Sequence, residues 1–254
     1  MMINQEFAEG STWVHKLDPR LKILMVVMLA IIVAVGESMP MLIQAVLLAS
    51  FFIVAAKLSW KKVLKRLLVI NFFIFGIWIF IPFTYPGTAL FYLGPLTASY
   101  QGVIYALQIT LRSNAIMLAM IALLSTSEMT SLLQAMKQLY IPEKLIYLFF
   151  FVYRYIHVVA DEFSTLHNSV LNRGFKPRTN LHSYRTYAYL VGMLLIKSYD
   201  RSDRVYQAML ARGFKGKFYI RNNFSLSVSD LLVFSATVVL ISWFIIIETG
   251  LIII

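Results

Sequence analysis

Five uninterrupted apolar runs constrain the fold of this chain more than any other feature. They cover residues 23–35, 41–56, 67–83, 102–124 and 231–247. A helix that crosses a membrane needs about 20 apolar residues. The first two runs are short, but the break at 36–40 contains Gly and Pro, so we expect two helices joined by a tight turn. The runs predict an all-α integral membrane protein with about five transmembrane helices.

The composition agrees with a membrane protein. Charged residues make up 14% of the 254 positions and hydrophobic residues 59%, whereas soluble domains carry about 25% charged residues. Lipid must therefore cover part of the surface. The chain has no cysteine, which excludes disulfides, cysteine-ligated metals and thiol catalysis. The first twenty residues carry two Glu and little apolar character, so we expect no cleavable signal peptide.

The basic residues predict the topology. Outside the spans, three lie in the N-terminal segment, five in the link at 57–66 and fourteen in residues 126–230, whereas the turn at 36–40 and the aromatic loop at 84–100 have none. Lys and Arg collect on the cytoplasmic side of a membrane. We therefore expect the N-terminus and residues 126–230 in the cytoplasm, the C-terminus outside, and the uncharged loop against the outer surface of the cell (cytoplasmic) membrane. The net charge of +11 then reflects topology and does not indicate nucleic acid.

These counts predict three regions. Residues 1–125 form a membrane domain with about four spans, residues 126–230 a cytoplasmic domain, and residues 231–254 a C-terminal span. Two shorter apolar stretches, at 145–153 and 188–196, could be further spans. That arrangement would place Arg173, Lys176, Arg178 and Arg185 outside, against the charge pattern. We expect them instead to be apolar parts of long cytoplasmic helices.

Two long helices are predicted in the cytoplasmic region, and their ends match. One begins near Pro142 and reaches Arg173-Gly174, and the other begins near His182 and reaches Arg212-Gly213. The ends read Leu-Asn-Arg-Gly-Phe-Lys and Leu-Ala-Arg-Gly-Phe-Lys, offset by 39 positions. Helix termination explains the Gly and the cation, but it does not require Phe and Lys after both glycines. The repeat therefore suggests two similar receptors, such as two copies or homologues of one partner.

At these residues the chain resembles the transmembrane (T) component of energy-coupling-factor (ECF) importers. That family carries two Ala-Arg-Gly motifs at the ends of cytoplasmic coupling helices. The second is intact here as Ala211-Arg212-Gly213, and the first departs as Asn172-Arg173-Gly174. Residues 15–22 also look like the family's usual entry to its first span. Residues 190–209 look most like the cobalt/nickel branch.

The resemblance implies a non-catalytic coupling subunit. Two cytoplasmic ATPase subunits, identical or homologous, would bind the helix ends, and the chain would transmit their motion to a separate substrate-binding membrane subunit. The implied cargo is cobalt or nickel, with a vitamin-type ECF transporter as the alternative. The implied ATPase-binding residues are Asn172, Arg173, Gly174, Phe175, Ala211, Arg212, Gly213 and Phe214.

Missing motifs agree with a coupling role. The sequence has no Gly-x-x-x-x-Gly-Lys-Ser/Thr loop, so we expect ATP to be bound and hydrolysed by partner subunits. Its four histidines show no metal-ligand spacing, and we expect no cofactor and no metal. A membrane enzyme would need a cluster of His or acidic residues at a pocket. A stand-alone secondary transporter, the more distant alternative, would show a repeat at the membrane midplane, whereas the repeat found here is predicted to be cytoplasmic.

Arg112 lies inside the fourth apolar run. An ionisable group within a span usually faces protein or water. Two interpretations stay open for it. It contacts the substrate-binding subunit or a cytoplasmic helix, or it snorkels or pairs within the helix bundle.

Overall fold

The computed structural model describes residues 10, 12–93, 96–216 and 227–248, which form two compact units. Residues 10–140 and 227–248 make up the membrane unit, and residues 141–216 make up the helix-pair unit. The helices are α1 Trp13–Lys16, α2 Pro19–Val35, α3 Met39–Ala55, α4 Trp60–Thr84, α5 Tyr100–Leu123, α6 Met129–Gln138, α7 Glu143–Asn172, α8 Leu181–Ala211 and α9 Val228–Glu248, and the strands are β1 Ala89–Leu93 and β2 Leu96–Ser99.

A helix forms over each of the five predicted apolar runs, which confirms an all-α integral membrane protein. Within the described residues, α4, α5 and α9 are long and apolar enough to cross a membrane. Helices α2 and α3 have 17 residues each, or about 26 Å, somewhat less than the ~30 Å hydrocarbon core. The two long helices of the helix-pair unit are not among the candidate spans.

Each of the five helices begins two to seven residues before its predicted apolar run, and two of these differences change the expected links. Helix α4 begins at Trp60, so the basic residues 61, 62, 65 and 66 belong to its first two turns and not to a separate link. Helix α3 begins at Met39 with Pro40 in its first turn, where proline is favoured. Only residues 36–38 remain as the turn between α2 and α3. An apolar run thus marks the lipid-covered part of a helix and not its full length.

The uncharged segment between α4 and α5 contains a two-stranded antiparallel hairpin, β1–β2, which the sequence did not predict. The hairpin is tied to the neighbouring helices by Ser99. Its Oγ accepts a hydrogen bond from the N–H of Gly102 at 3.0 Å and donates to the carbonyl of Tyr85 at 2.6 Å. This side chain therefore caps the start of α5 and holds the end of α4 beside it.

Helix α5 is central in the membrane unit, where it packs against α2, α3 and α4. Small residues make the contact with α3 close: Ala45 and Ala49 on α3 and Ala115 and Ala119 on α5 are at most 1% exposed. Small residues let membrane helices approach closely. On the α4 side, the amides of Asn71 and Asn114 exchange hydrogen bonds at 3.0 and 3.1 Å.

Helix α6 was not predicted. It packs on α2 and buries Leu133 and Ala135. It therefore groups with the membrane unit, and the division between the compact units falls after Tyr140, beyond the predicted boundary at 125/126.

The two long helices were predicted closely. Helix α7 ends at Asn172 and α8 at Ala211, each one residue before its Arg-Gly. The two helices run antiparallel, because side-chain contacts pair later positions of α7 with earlier positions of α8. Glu162 contacts Arg201, and His167 contacts Tyr187. The helix-pair unit is therefore a helical hairpin.

Candidate docking site: two matched helix ends

The ends of α7 and α8 have the same backbone geometry. Gly174 and Gly213 are left-handed, with φ of 84° and 81°. The N–H of each glycine donates to a carbonyl three residues back, at 2.9 Å in both cases, and the N–H of the following Phe donates five residues back, at 3.3 and 3.0 Å. This pair of bonds is the Schellman motif. The helix termination predicted from the sequence is observed at both ends.

Both ends present the same groups to solvent. Arg173, Gly174, Arg212 and Gly213 are exposed, whereas the two phenylalanines are partly buried. A β-carbon added to either glycine would meet nothing within 4 Å, so the backbone conformation, and not crowding, requires glycine there. Each arginine also directs its backbone N–H to the carbonyl three residues earlier, so the guanidinium groups extend from a fixed backbone.

The departure from Ala-Arg-Gly at the first end does not change this geometry. Asn172 and Ala211 are each the last residue of their helix, and both are exposed. The two side chains therefore hold equivalent places beside their arginines.

The two ends are well separated. The Phe175 ring lies 5.9 Å from the ring of Tyr187, on the second turn of α8. From Tyr187 the helix continues to Ala211, a rise of roughly 36 Å. The end of α7 therefore lies beside the start of α8, and the end of α8 lies roughly 36 Å away, too far for one small pocket to contact both. We call residues 172–175 and 211–214 the first and second candidate docking ends.

A charged bridge holds the helix pair together between the ends. The carboxylate of Glu162 accepts hydrogen bonds from Lys197 and, at 3.1 Å, from Arg201. The hydrogen bond from Lys197 is the largest cause that lowers the pKa of Glu162 below its ordinary value, and the charges of Lys197 and Arg201 act in the same direction, against partial burial. Nearer the first end, His167 stacks between Phe163 and Tyr187.

A groove of about 660 Å³ lies between α7 and α8. It occupies the side of the bridge away from the first docking end. Its lining is mostly apolar, and the residues are Phe151, Val152, Tyr155, Ile156, Val159, Ser198, Arg201, Ser202, Val205, Tyr206 and Met209. Apolar side chains next to it are exposed as well, among them Leu148 at 55% and Leu195 at 66%. Such a surface is typical of a contact with an apolar partner.

Arg112 makes its contact inside the membrane unit. Its Nη2 donates to the carbonyl of Gly36 at 2.8 Å, and one turn away Gln108 donates to the carbonyl of Glu37 at 2.6 Å. A cation beside the last carbonyls of α2 also complements the helix dipole. This geometry is the one expected for pairing within the bundle.

The histidines form no metal site in the part of the chain that is described, where no group of three His, Cys, Asp or Glu residues could hold an ion. His167 lies in the aromatic stack, and His15 lies 2.6 Å from the hydroxyl of Thr12 through its Nδ1.

Comparisons with known proteins identify the family of this chain. The CbiQ family model, described as a cobalt transport protein, matches residues 10–226. The energy-coupling factor transporter transmembrane protein EcfT of Ruminiclostridium cellulolyticum is 24% identical over 96% of each chain. The EcfT protein of Macrococcus caseolyticus is 28% identical over 85% of each chain, and that of Leuconostoc gelidum is 27% identical over 82% of each. Since the family model covers most of its length, the chain belongs to the CbiQ family of cobalt transport proteins.

Proposed function

We propose that this chain is the transmembrane coupling subunit of an ATP-driven ECF importer and has no catalytic activity of its own. The observation that carries the proposal is the pair of matched Schellman ends on α7 and α8, each presenting an exposed arginine. The names of the EcfT relatives support the same role. The ATPase-binding residues are those of the two ends, 172–175 and 211–214.

Two ATPase subunits are the proposed partners of these ends. Two similar helix ends about 36 Å apart fit two similar receptors and not one. An exposed arginine next to a fixed backbone can donate several hydrogen bonds to carboxylates or carbonyls. ATP-driven motion of the receptors would then move α7 and α8, which the Glu162 bridge holds as one body.

A substrate-binding membrane subunit is the third proposed partner. The apolar groove between α7 and α8 supports it, because a membrane protein can supply an apolar helix face of matching character. The cargo proposed first is cobalt, as the family name favours, with nickel next. A vitamin-type transporter is the second candidate, because the names of the EcfT relatives specify no cargo. Uptake of labelled Co²⁺ by the assembled complex, compared with a labelled vitamin, distinguishes the candidates.

We also propose that the N-terminus and the helix-pair unit face the cytoplasm across the cell membrane. The charge distribution supports this orientation. Since the chain has no cysteine, single cysteines can test it. A membrane-impermeant thiol reagent applied to intact cells should spare cysteines at exposed positions of α7 and α8 and should label them after lysis.

Charge reversal at both ends tests the docking proposal. Arg173→Glu with Arg212→Glu should abolish co-purification of the ATPases while the chain still inserts into the membrane. The matched control is Arg185→Glu with Arg204→Glu, which changes the same charge at two exposed positions of α8. The control should retain the ATPases. Unchanged assembly and uptake in the Arg173/Arg212 variant would contradict the proposal.

A further inference from the structure

Lys22 is fully buried at the start of α2, although the charge pattern counts it with the N-terminal basic segment. Its Nζ donates to Oγ of Ser127 at 2.8 Å, to Oγ1 of Thr126 at 3.3 Å and to the carbonyl of His15 at 3.3 Å. A lysine ammonium has three donors, so all three are used. Burying a cation raises the free energy of the folded state unless the cation is hydrogen-bonded. The three acceptors must therefore stay within hydrogen-bonding distance of the Lys22 ammonium.

A second cation holds the same short segment. Arg66 on α4 donates from Nη1 to Oγ of Ser125 at 3.1 Å. Thr126 is itself fixed, because its hydroxyl lies 3.0 and 2.9 Å from the carbonyls of Ala122 and Leu123. Each of the three residues 125–127 therefore has a side-chain contact with a cation from another helix. This segment, which we call the hydroxyl triplet, lies between the end of α5 at Leu123 and the start of α6 at Met129.

The carboxylates around Lys22 complete the cluster. Asp18 and Asp230 both interact electrostatically with its ammonium, and both are buried. Asp18 caps α2 by accepting a bond from the N–H of Arg20, and Asp230 lies at the start of α9. Lys22 thus joins α2 to the junction between α5 and α6 by hydrogen bonds, and the buried carboxylate of Asp230 at the start of α9 attracts its charge.

Residues 139–142 separate α6 from α7. Tyr140 is 97% exposed and has φ of 60°, a conformation that is strained for a residue other than glycine. The division between the compact units falls directly after it. The last firmly held element before this point is α6, which packs on α2.

We infer that Lys22 and Arg66 are positioning residues that anchor the α5–α6 junction and keep α6 fixed on the membrane helices. Under the proposed function, on which this consequence rests, the anchor is the stationary base of the coupling movement. Force that reaches the chain through α7 is resisted at α6 by buried charge and hydroxyl contacts. Apolar packing alone allows sliding more readily, because it has no directional bonds to break.

Spin-label distances test the anchor. The cysteine-free chain permits one cysteine at Gln138, at the exposed end of α6, and one at the exposed Lys61 on α4. Pulsed electron paramagnetic resonance on the full chain should give a narrow distribution of the distance between the two spin labels. Lys22→Met should broaden or shift this distribution. Lys16→Met, the same change at an exposed position of the N-terminal segment, should leave the distribution unchanged. An unchanged narrow distribution in Lys22→Met would overturn the inference.

Two milder changes keep the test decisive if Lys22→Met does not fold. Thr126→Val with Ser127→Ala removes the hydroxyl acceptors, and Arg66→Met removes the second cation, with the exposed neighbour change Lys65→Met as its control. In the assembled transporter these variants should retain the ATPases but should take up less substrate for each ATP hydrolysed. Equal losses of uptake and ATP hydrolysis, or loss of bound ATPases, would indicate a general folding role and overturn the inference.

The spin-label measurement and the ATPase-binding measurement distinguish this inference from the proposed function. The spin-label distance is read in the purified chain and requires no ATPase. A broadened distribution with no ATPase binding in the unmodified chain would retain the anchor and contradict the proposed function. A narrow distance distribution in every variant, with normal ATPase binding, would contradict the anchor and retain the proposed function.

Discussion

Glu162 and Arg201 bond across the helix pair at 3.1 Å and lie 39 positions apart, the same offset that separates Gly174 from Gly213. Each glycine is therefore twelve residues beyond the bridge on its own helix, a rise of about 18 Å. Because the helices are antiparallel, the two docking ends lie at equal distances on opposite sides of the bridge. The sequence repeat thus corresponds to a repeat in space.

Replacing Gly174 or Gly213 by alanine should destabilise the corresponding helix end. Both glycines are left-handed, and a β-carbon in that conformation costs about 1 kcal/mol. Amide hydrogen exchange should show faster exchange over the last turn of α7 or α8, with the central turns unchanged. Gly192→Ala is the matched control, because Gly192 lies inside α8 with open space around it. There alanine should slow exchange, since it favours the helix by roughly 0.5–1 kcal/mol. Equal effects at the three positions would contradict the role assigned to the left-handed conformation.

The helix pair should lose stability at acidic pH through Glu162. The pKa of Glu162 is lower in the folded chain than in the unfolded chain, chiefly because of the hydrogen bond from Lys197. The carboxylate therefore stabilises the pair fully above the ordinary glutamate pKa, and this stabilisation is lost as pH falls through the lowered pKa. Hydrogen exchange of α7 and α8, corrected for intrinsic rates at each pH, should show this loss in the unmodified chain and in Asp161→Asn. Glu162→Gln should be less stable near neutral pH and should lack the acid-dependent step.

Arg112→Met should destabilise the membrane unit and leave the partners bound. The change removes the hydrogen bond to the Gly36 carbonyl, and a bond from a charged donor contributes about 1.5–3 kcal/mol. Unfolding in mixed micelles measures the loss, and Leu107→Met, at an exposed position of α5, is the control. Unchanged stability with loss of the substrate-binding subunit would instead establish Arg112 as a subunit contact.

Asn71 and Asn114 should be energetically coupled. Their amides exchange two hydrogen bonds between α4 and α5. Single changes to leucine and the double change, measured by unfolding in micelles, should give a coupling free energy of about 0.6 kcal/mol, with an upper bound of about 1.7 kcal/mol. If the effects of the two single changes on the free energy of unfolding add up to the effect of the double change, the hydrogen bonds between the two amides contribute no coupling free energy.

Local signals in the sequence predict much of the fold. Glycine, proline and arginine mark the ends of α7 and α8, and these ends were predicted to within one residue because capping depends on neighbours in the chain. The start of α4 was placed too late, since residues 61–66 are helical although basic. The β1–β2 hairpin was missed because β1 reads Ala-Leu-Phe-Tyr-Leu, without the alternation of polar and apolar residues that identifies a half-buried strand, and β2 has only four residues.

The anchor around Lys22 could not be predicted from local signals. Its hydroxyl acceptors lie 104 and 105 positions away, so only the packing of α2 against the α5–α6 junction brings them together. From the sequence alone Lys22 is one of several basic residues near a span. The contact of Arg112 with Gly36, 76 positions away, also joins residues that are distant in the sequence. Two interpretations of Arg112 therefore stayed open.

The two helix ends lie at equal distances along their helices from the Glu162–Arg201 bridge, which is the spacing that a twofold axis through the bridge would produce. A dimer of identical or homologous subunits has an axis of the same kind, and the two axes can coincide when both ends are bound. Forces related by such an axis have opposite components perpendicular to the axis and equal components along it. The perpendicular components therefore give no net translation of the helix pair. The part directed along the line between the two ends compresses or extends the pair, and the part at right angles to that line turns it about the bridge.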